Sequence, residues 1–397
     1  MINSGDIAFL IICTLIVILM TPGVAILYGG LVDKKHTNTM IMQNFIAITI
    51  ITLVWAICGF TIAYGNNIAG GFIGGFDYLF LQGVSAEPHA ILAPTVPFTL
   101  FFVLQAAFAI ITPALICGAL VGRARLLPYV IFIALWSLLI YSPVVHWVWG
   151  GGFLSQWGYI DFAGGVPVHM IAGFSALAAV IALGNRKIPK DGPSNMMHLA
   201  ISMGILCAGW FAFNTCSALA ANATAAVAAT NTLLAAAAGS FMWLILGYIK
   251  NKKADLLDIF FGILAGLVVS SPISGFVSPW VAMISGFIAG LFCYYAVQFR
   301  TYKNWDDTLD VWAIHGCGGL LGVLIVGLCA NPAIAPTAGL LYGNSQQLLI
   351  QASGILIGGL YSFILTFVLI KVINKVCPFN FKKDHPEFET TKQDISL

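Results

Sequence analysis

Charge is what this sequence has least of. Asp, Glu, Lys and Arg make up 8% of the 397 residues while 60% are apolar, against about 25% charged in soluble domains. A water-soluble globular chain of this length is excluded, because so few charges could not solvate its surface. The chain also lacks paired cysteines: Cys13, Cys58, Cys117, Cys207, Cys216, Cys293, Cys317, Cys329 and Cys377 are scattered, with no CxxC, which argues against a disulfide framework and a zinc site. There is no HExxH, no thiolate cluster and no nucleophile–base pair, so neither a metal, a cofactor nor an enzyme is expected. No basic patch suited to nucleic acid is present. The amino-terminal MINSGD has no basic n-region or obvious cleavage site, so the first apolar run is read as a retained span rather than a leader.

What is present is apolar length. Runs of about 20 apolar residues, each enough to cross roughly 30 Å of hydrocarbon, recur near 7–31, 41–64, 96–121, 127–144, 162–184, 197–219, 227–249, 257–274, 278–299, 308–330 and 347–376. In lipid a backbone must pair within its own segment, so these eleven spans are expected to be helices. The fold class expected is an all-α polytopic membrane protein, with residues 1–376 in the bilayer and 377–397 a short polar tail.

The few charges are placed one-sidedly. Lys34 and Lys35 follow span one, Arg123 and Arg125 span three, Arg186, Lys187 and Lys190 span five. Lys250, Lys252 and Lys253 follow span seven, Arg300 and Lys303 span nine, and Lys371, Lys375, Lys382, Lys383 and Lys392 end or follow span eleven. All 17 basic residues are thereby accounted for, and none falls in an even-numbered loop. By the positive-inside rule the amino terminus lies outside and the carboxyl terminus in the cytoplasm, with the plasma or inner membrane as the expected site.

Ten spans divide into two sets of five, and because five is odd the halves, about 7–184 and 197–330, enter from opposite sides. Such inverted repeats put transport sites near the midplane. An echo supports the division: Asp161, His169 and Gly173 open span five with the same spacing as Asp307, His315 and Gly319 open span ten. Glycines four apart, as in Gly262/Gly266 and Gly286/Gly290, read as close helix packing. Asn222-Ala-Thr224 matches a glycosylation sequon.

Five of the seven histidines (His36, His89, His146, His198 and His385) fall at loops, span ends or the tail. His169 and His315 do not. At about 1.5 Å per residue, each sits roughly 12 Å in from its own face, at similar depth. Two readings stand side by side: core histidines bonding between helices, or a lining for a polar solute. A neutral imidazole offers one donor and one acceptor. That suits ammonia, water or urea, whereas a bare ion would lose its hydration without compensation.

The stretch SPVVHWVWGGGFLSQWGYIDFAGG carries Trp147, Trp149 and Trp157, and span six ends with Trp210, Phe211, Phe213 and Ser217. Aromatic faces can recruit a cation for about 0.5–2 kcal/mol, or can simply anchor helices at the interface. Asp161 can supply a negative field, cap the start of helix five, or do both.

At these residues the chain resembles the ammonium transporter (Amt/methylammonium permease/Rh) family. The motifs that carry the likeness are MTPGVAILYGGL (20–31), VVHWVWGGG (144–152), DFAGGVPVHMIAG (161–173), GWFAFN (209–214) and DDTLDVWAIHGCGG (306–319). The resemblance implies a homotrimer with one pore per subunit, carrying ammonium or ammonia, with methylammonium as a second candidate. By its pattern His169 and His315 are the twin pore histidines and Phe108 with Phe213 the gate. Trp149 and Ser217 form the cation-recruiting site with Asp161 in support, and Trp210 lines the pore. Leu104 stands where many members have a third recruiting aromatic, which weakens cation capture. The tail lacks the segment through which many relatives meet nitrogen-regulatory PII proteins, so that partner is not carried over. A sensor of ammonium, or a gas channel like the Rh members, is the alternative reading.

Overall fold

Hydropathy and helix length dictate the architecture, and the computed structural model, which describes residues 2–186 and 195–379, contains eleven helices able to cross a membrane. In chain order they are α1 (Ser4–Leu31), α2 (Lys34–Tyr64), α3 (Phe98–Ala119), α4 (Leu126–Gln156), α5 (Gly165–Leu183), α6 (Met196–Cys216), α7 (Ala223–Asn251), α8 (Leu256–Ile273), α9 (Pro279–Tyr302), α10 (Trp312–Cys329) and α11 (Ser345–Val376). Two small antiparallel hairpins, Asn67–Ile68 with Ile73–Gly74 and Pro88–His89 with Ala93–Pro97, fill the connection from α2 to α3. Tail residues from 380 onward, with His385, Lys382, Lys383 and Lys392, lie outside the described residues, as do Lys187 and Lys190.

The fourth span differs from its sequence expectation. It was expected to end near 144, with His146 at its end, but the helix runs on to Val148, and after a turn at residues 149–152 a short helix, Phe153–Gln156, closes the span. His146 is fully buried, its ring nitrogens 3.0 Å from the Ala63 carbonyl and 2.7 Å from Asn67 Oδ1. Two partners allow a polar ring to remain inside apolar surroundings, which hydropathy alone cannot anticipate.

Equivalent helices of the two halves meet: α1 packs along α6, and α5 crosses α10. Small residues permit the closest approaches. A Cβ placed on Gly239 of α7 would lie 2.6 Å from the Gly262 carbonyl of α8, and one on Gly290 of α9 2.6 Å from the Gly239 carbonyl, so α7, α8 and α9 are held backbone to backbone. Asn222 is occupied as the amino-terminal cap of α7, accepting from Ala225 N–H at 3.1 Å. On α11, Leu356, Leu360, Ile364, Val368 and Val372 form an exposed stripe at four-residue intervals, while Gln351, Gly354, Gly358, Ser362 and Thr366 are buried. Its apolar face looks outward, as a bilayer requires.

On the basic face one acidic residue ties three loops together. Asp306 takes a bidentate pair from Arg186, Nε and the terminal nitrogen each at 2.8 Å, and lies 3.1 Å from Arg123. Arg123 also donates to the Asp306 and Gly184 carbonyls. Burial would raise the Asp306 carboxyl, but the Arg186 and Arg123 guanidiniums hold it below the ordinary carboxylate range. A depressed carboxyl contributes stability above its unfolded pKa and loses it as pH falls through the lower folded value. Asp306→Asn should therefore cost about 3 kcal/mol, because the buried Arg123 loses its counter-charge. Thermal unfolding in detergent should show a lower midpoint than wild type at pH 7, with the difference shrinking at acid pH below about 4.

Candidate functional site

The connections that lead into α5 and α10 correspond. Residues 157–164, before α5, and 303–310, before α10, contain no continuous α-helix, so their own backbone groups and the first N–H groups of the next helix need partners. Each half supplies an aspartate. Asp161 accepts from Gly164 and Gly165 N–H through Oδ1 at 2.8 and 2.7 Å and from Val166 N–H through Oδ2 at 2.8 Å. Asp307 accepts from Trp312 N–H through Oδ2 at 2.8 Å. In both cases a donor five residues on is captured and a histidine follows three residues after that. Asp161 thus makes the contacts of a helix cap. Burial raises its carboxyl from the ordinary value, against the pull of the three N–H groups.

Both helices then begin with π-type turns, Gly165–Met170 and Trp312–Gly316, an irregularity common at functional sites. They cross where neither carries a side chain. A Cβ on Gly173 would run into the Gly316 backbone, and one on Gly319 would lie 2.6 Å from the Gly165 carbonyl. The crossing brings His169 and His315 together, Nδ1 to Nδ1 at 3.4 Å. His169 Nε2 is 2.9 Å from Ser271 Oγ on α8, and Trp210 Nε1 donates to the same oxygen at 2.9 Å. The Trp210 ring lies nearly parallel to both imidazoles, at 5.3 and 6.1 Å between centroids.

Above the pair on the His169 side, Phe108 and Phe213 stack with centroids 4.1 Å apart, and both are buried. Trp149 meets Phe108 edge to face at 6.1 Å, and its Nε1 donates to the Asp161 carbonyl at 2.8 Å. Ser217 gives its hydroxyl proton to the Phe213 carbonyl at 2.9 Å, leaving the oxygen lone pairs as acceptors. Leu104 is fully buried. On the other side, Leu27, Tyr28, Leu31, Trp210, Leu309 and His315 line a cavity of about 20 Å³, room for one water-sized molecule. A larger cleft of about 360 Å³ lies beside the mouth, lined by Trp157, Thr337, Asn344 and Gln347, away from the histidines. No group of three or more His, Cys, Asp or Glu side chains able to hold a metal occurs among the described residues.

The structure thus joins Trp149, Phe108, Phe213, His169, Trp210 and His315 in one column of ring contacts. Ser271 was missed from sequence; its only signal was a pair of hydroxyls before Pro272 within an apolar span. A buried column of aromatic rings ending in paired imidazoles lies where two helices cross, inside a bundle of eleven helices long and apolar enough to span a membrane.

The chain belongs to the Ammonium Transporter Family, which it matches over residues 8–393. It is 40% identical over 377 residues to ammonium transporter Amt1 of Archaeoglobus fulgidus, covering 94% of this chain and 93% of that one. Among solved structures it is similar to Mep2 of Saccharomyces cerevisiae, with a TM-score of 0.91 at 28% identity, covering 96% of this chain and 88% of the other. It is also similar to a protein described as a sensor Amt protein, with a TM-score of 0.88 at 28% identity and 96% of each chain covered.

The glycine crossing makes a direct prediction. Gly173→Ala and Gly319→Ala should each lower thermal stability by about 1–3 kcal/mol through overpacking. Gly204→Ala, where nothing lies within 4 Å of an added Cβ, should leave it unchanged or raise it by up to about 1 kcal/mol. Unfolding midpoints of the three purified variants check the contrast.

Proposed function

We propose that this protein transports ammonium, recruiting the cation at the Trp149 mouth and passing ammonia between His169 and His315. The observation that carries the proposal is the unbroken column from Trp149 to the 3.4 Å imidazole contact. A cation at the mouth gains the face of Trp149, worth about 0.5–2 kcal/mol, and the lone pairs of Ser217. Asp161 adds a fixed negative charge behind the Trp149 indole. Deeper in, that gain cannot offset the loss of hydration. Desolvation pushes amines toward their neutral form, as buried lysines reach a pKa of about 5–6. Ammonium can shed its proton and continue as ammonia; potassium has no such option.

The hydrogen bonds around Ser271 suggest how the released proton could follow. Trp210 donates to Ser271 Oγ, so the serine proton goes either to His169 Nε2 at 2.9 Å or to the Leu267 carbonyl at 3.4 Å. In the first case His169 carries its proton on Nδ1 and donates to His315, whose proton is then on Nε2. In the second, both imidazoles switch tautomer and His315 Nε2 becomes an acceptor. One hydroxyl rotation is thus coupled to the relay state of both rings.

Reconstituted protein should give selective ammonium-evoked current and labelled methylammonium uptake. His169→Ala should lose the current, and undiminished, still selective current would overturn the relay. Trp149→Leu should raise the half-saturating concentration about fivefold, within the range set by one cation–π contact. With the basic face in the cytoplasm, uptake runs from the Asp161 side, and a homotrimer with one pore per subunit fits the family. The stacked Phe108 and Phe213 rings and the likeness to a sensor Amt protein favour one second reading, that occupancy signals without passage. Specific ammonium binding without uptake would select it.

A further inference from the structure

We propose that Gln351, on α11 and outside both five-helix halves, is the positioning residue of the ammonium-recruiting mouth; the inference rests on the recruitment reading given above. The segment Gly158–Gly164 that carries Asp161 has no regular secondary structure. Its backbone must find partners from outside, since an orphaned buried amide is costly. On one side α8 supplies two carbonyls: Phe162 N–H donates to Pro272 at 3.3 Å and Ala163 N–H to Ser271 at 2.9 Å. On the other side the partners are side chains of α11.

Gln351 bonds both backbone groups of Ile160, accepting from its N–H at 3.1 Å and donating to its carbonyl at 2.7 Å. One turn earlier, Gln347 donates to the Gly158 carbonyl at 3.0 Å and to Gln351 Oε1 at 3.2 Å. Gln351 is wholly buried and Gln347 nearly so. The primary amide mimics a neighbouring strand, with one donor and one acceptor facing an acceptor and a donor. Its orientation is fixed by that pairing. Ile160 immediately precedes Asp161, whose carbonyl holds the Trp149 indole at 2.8 Å and whose carboxylate holds the start of α5. A shift at Ile160 would therefore move the recruiting ring and the carboxylate together. The eleventh helix, which lies outside the internal repeat, thus contributes an aligning clamp at this mouth.

The clamp is tested in liposomes by labelled methylammonium uptake, comparing wild type, Gln351→Leu, Gln351→Glu and Trp149→Leu at several pH values. Gln351→Leu keeps the bulk and removes both bonds. It should raise the half-saturating concentration about tenfold, as expected for a buried amide left unpaired, with the maximal rate per folded protein within about twofold of wild type. In Gln351→Glu a protonated carboxyl can still donate to Ile160 and accept from it, whereas a carboxylate only accepts. Its half-saturation should approach wild type at acid pH and depart from it as pH rises, a dependence that loss of folded protein would not produce. Unchanged half-saturation in both Gln351 variants while Trp149→Leu raises it would overturn the clamp and leave the recruitment reading intact. If Trp149→Leu also changes nothing, recruitment itself fails, and hydrogen exchange at the Ile160 amide decides the positioning. Faster exchange in Gln351→Leu supports the clamp; unchanged exchange overturns it.

Discussion

Within hydrocarbon every backbone donor and acceptor needs a partner, and this constraint explains most of what surrounds the pore. A straight helix satisfies itself; a broken one does not, so irregular backbone survives at depth only where protein supplies the missing bonds. The protein breaks its chain before α5 and before α10 and repairs each break with an aspartate that captures the donor five residues ahead. The π-type turns that follow place a histidine at the same offset in each half. Because the halves run in opposite senses through the bilayer, equal offsets from opposite faces converge. The contact between His169 and His315 is thus a consequence of two solutions to one backbone problem.

Convergence alone would leave the imidazoles apart. Two helices in ordinary contact have axes 8–10 Å apart, and the side chains between them fill the gap. Glycine at the crossing, Gly173 against Gly316 and Gly319 against Gly165, removes that filling and lets the two rings meet. The close approach also leaves little volume: a cavity of about 20 Å³ on the His315 side and a stacked phenyl pair on the other.

Much of this was legible in the sequence because the signals are repetitive. Seventeen basic residues at the ends of, or just after, the odd-numbered spans supported a count of eleven, which the eleven long apolar helices match, and the Asp–His–Gly echo pointed to two histidines that stand in contact. What escaped was set by single tertiary contacts. The burial of His146 near the end of α4 rests on bonds to Ala63 and Asn67, residues some eighty positions away. Ser271 acquires a role only because Trp210 and His169 converge on its hydroxyl. Asp161 was visible as two options, a cap and a source of negative field; the three N–H contacts show the cap.

The asymmetry between the two mouths follows from the same reasoning. A perfect repeat would hold the segments before α5 and α10 alike, yet the Asp161 side, where Trp149 meets Phe108, is held differently from its counterpart. There the segment before α5 is sutured on both flanks, by carbonyls of α8 and by amides of α11. The segment before α10 is flanked instead by charge: Asp306 with Arg186 and Arg123, and Asp310 with Arg300 at 2.6 Å. Amides hold a backbone in place without adding net charge. Before α10 the arginines are matched by aspartates, Arg123 and Arg186 on Asp306 and Arg300 on Asp310, so equivalent segments of the two halves are held by neutral amides at one end and by paired charge at the other.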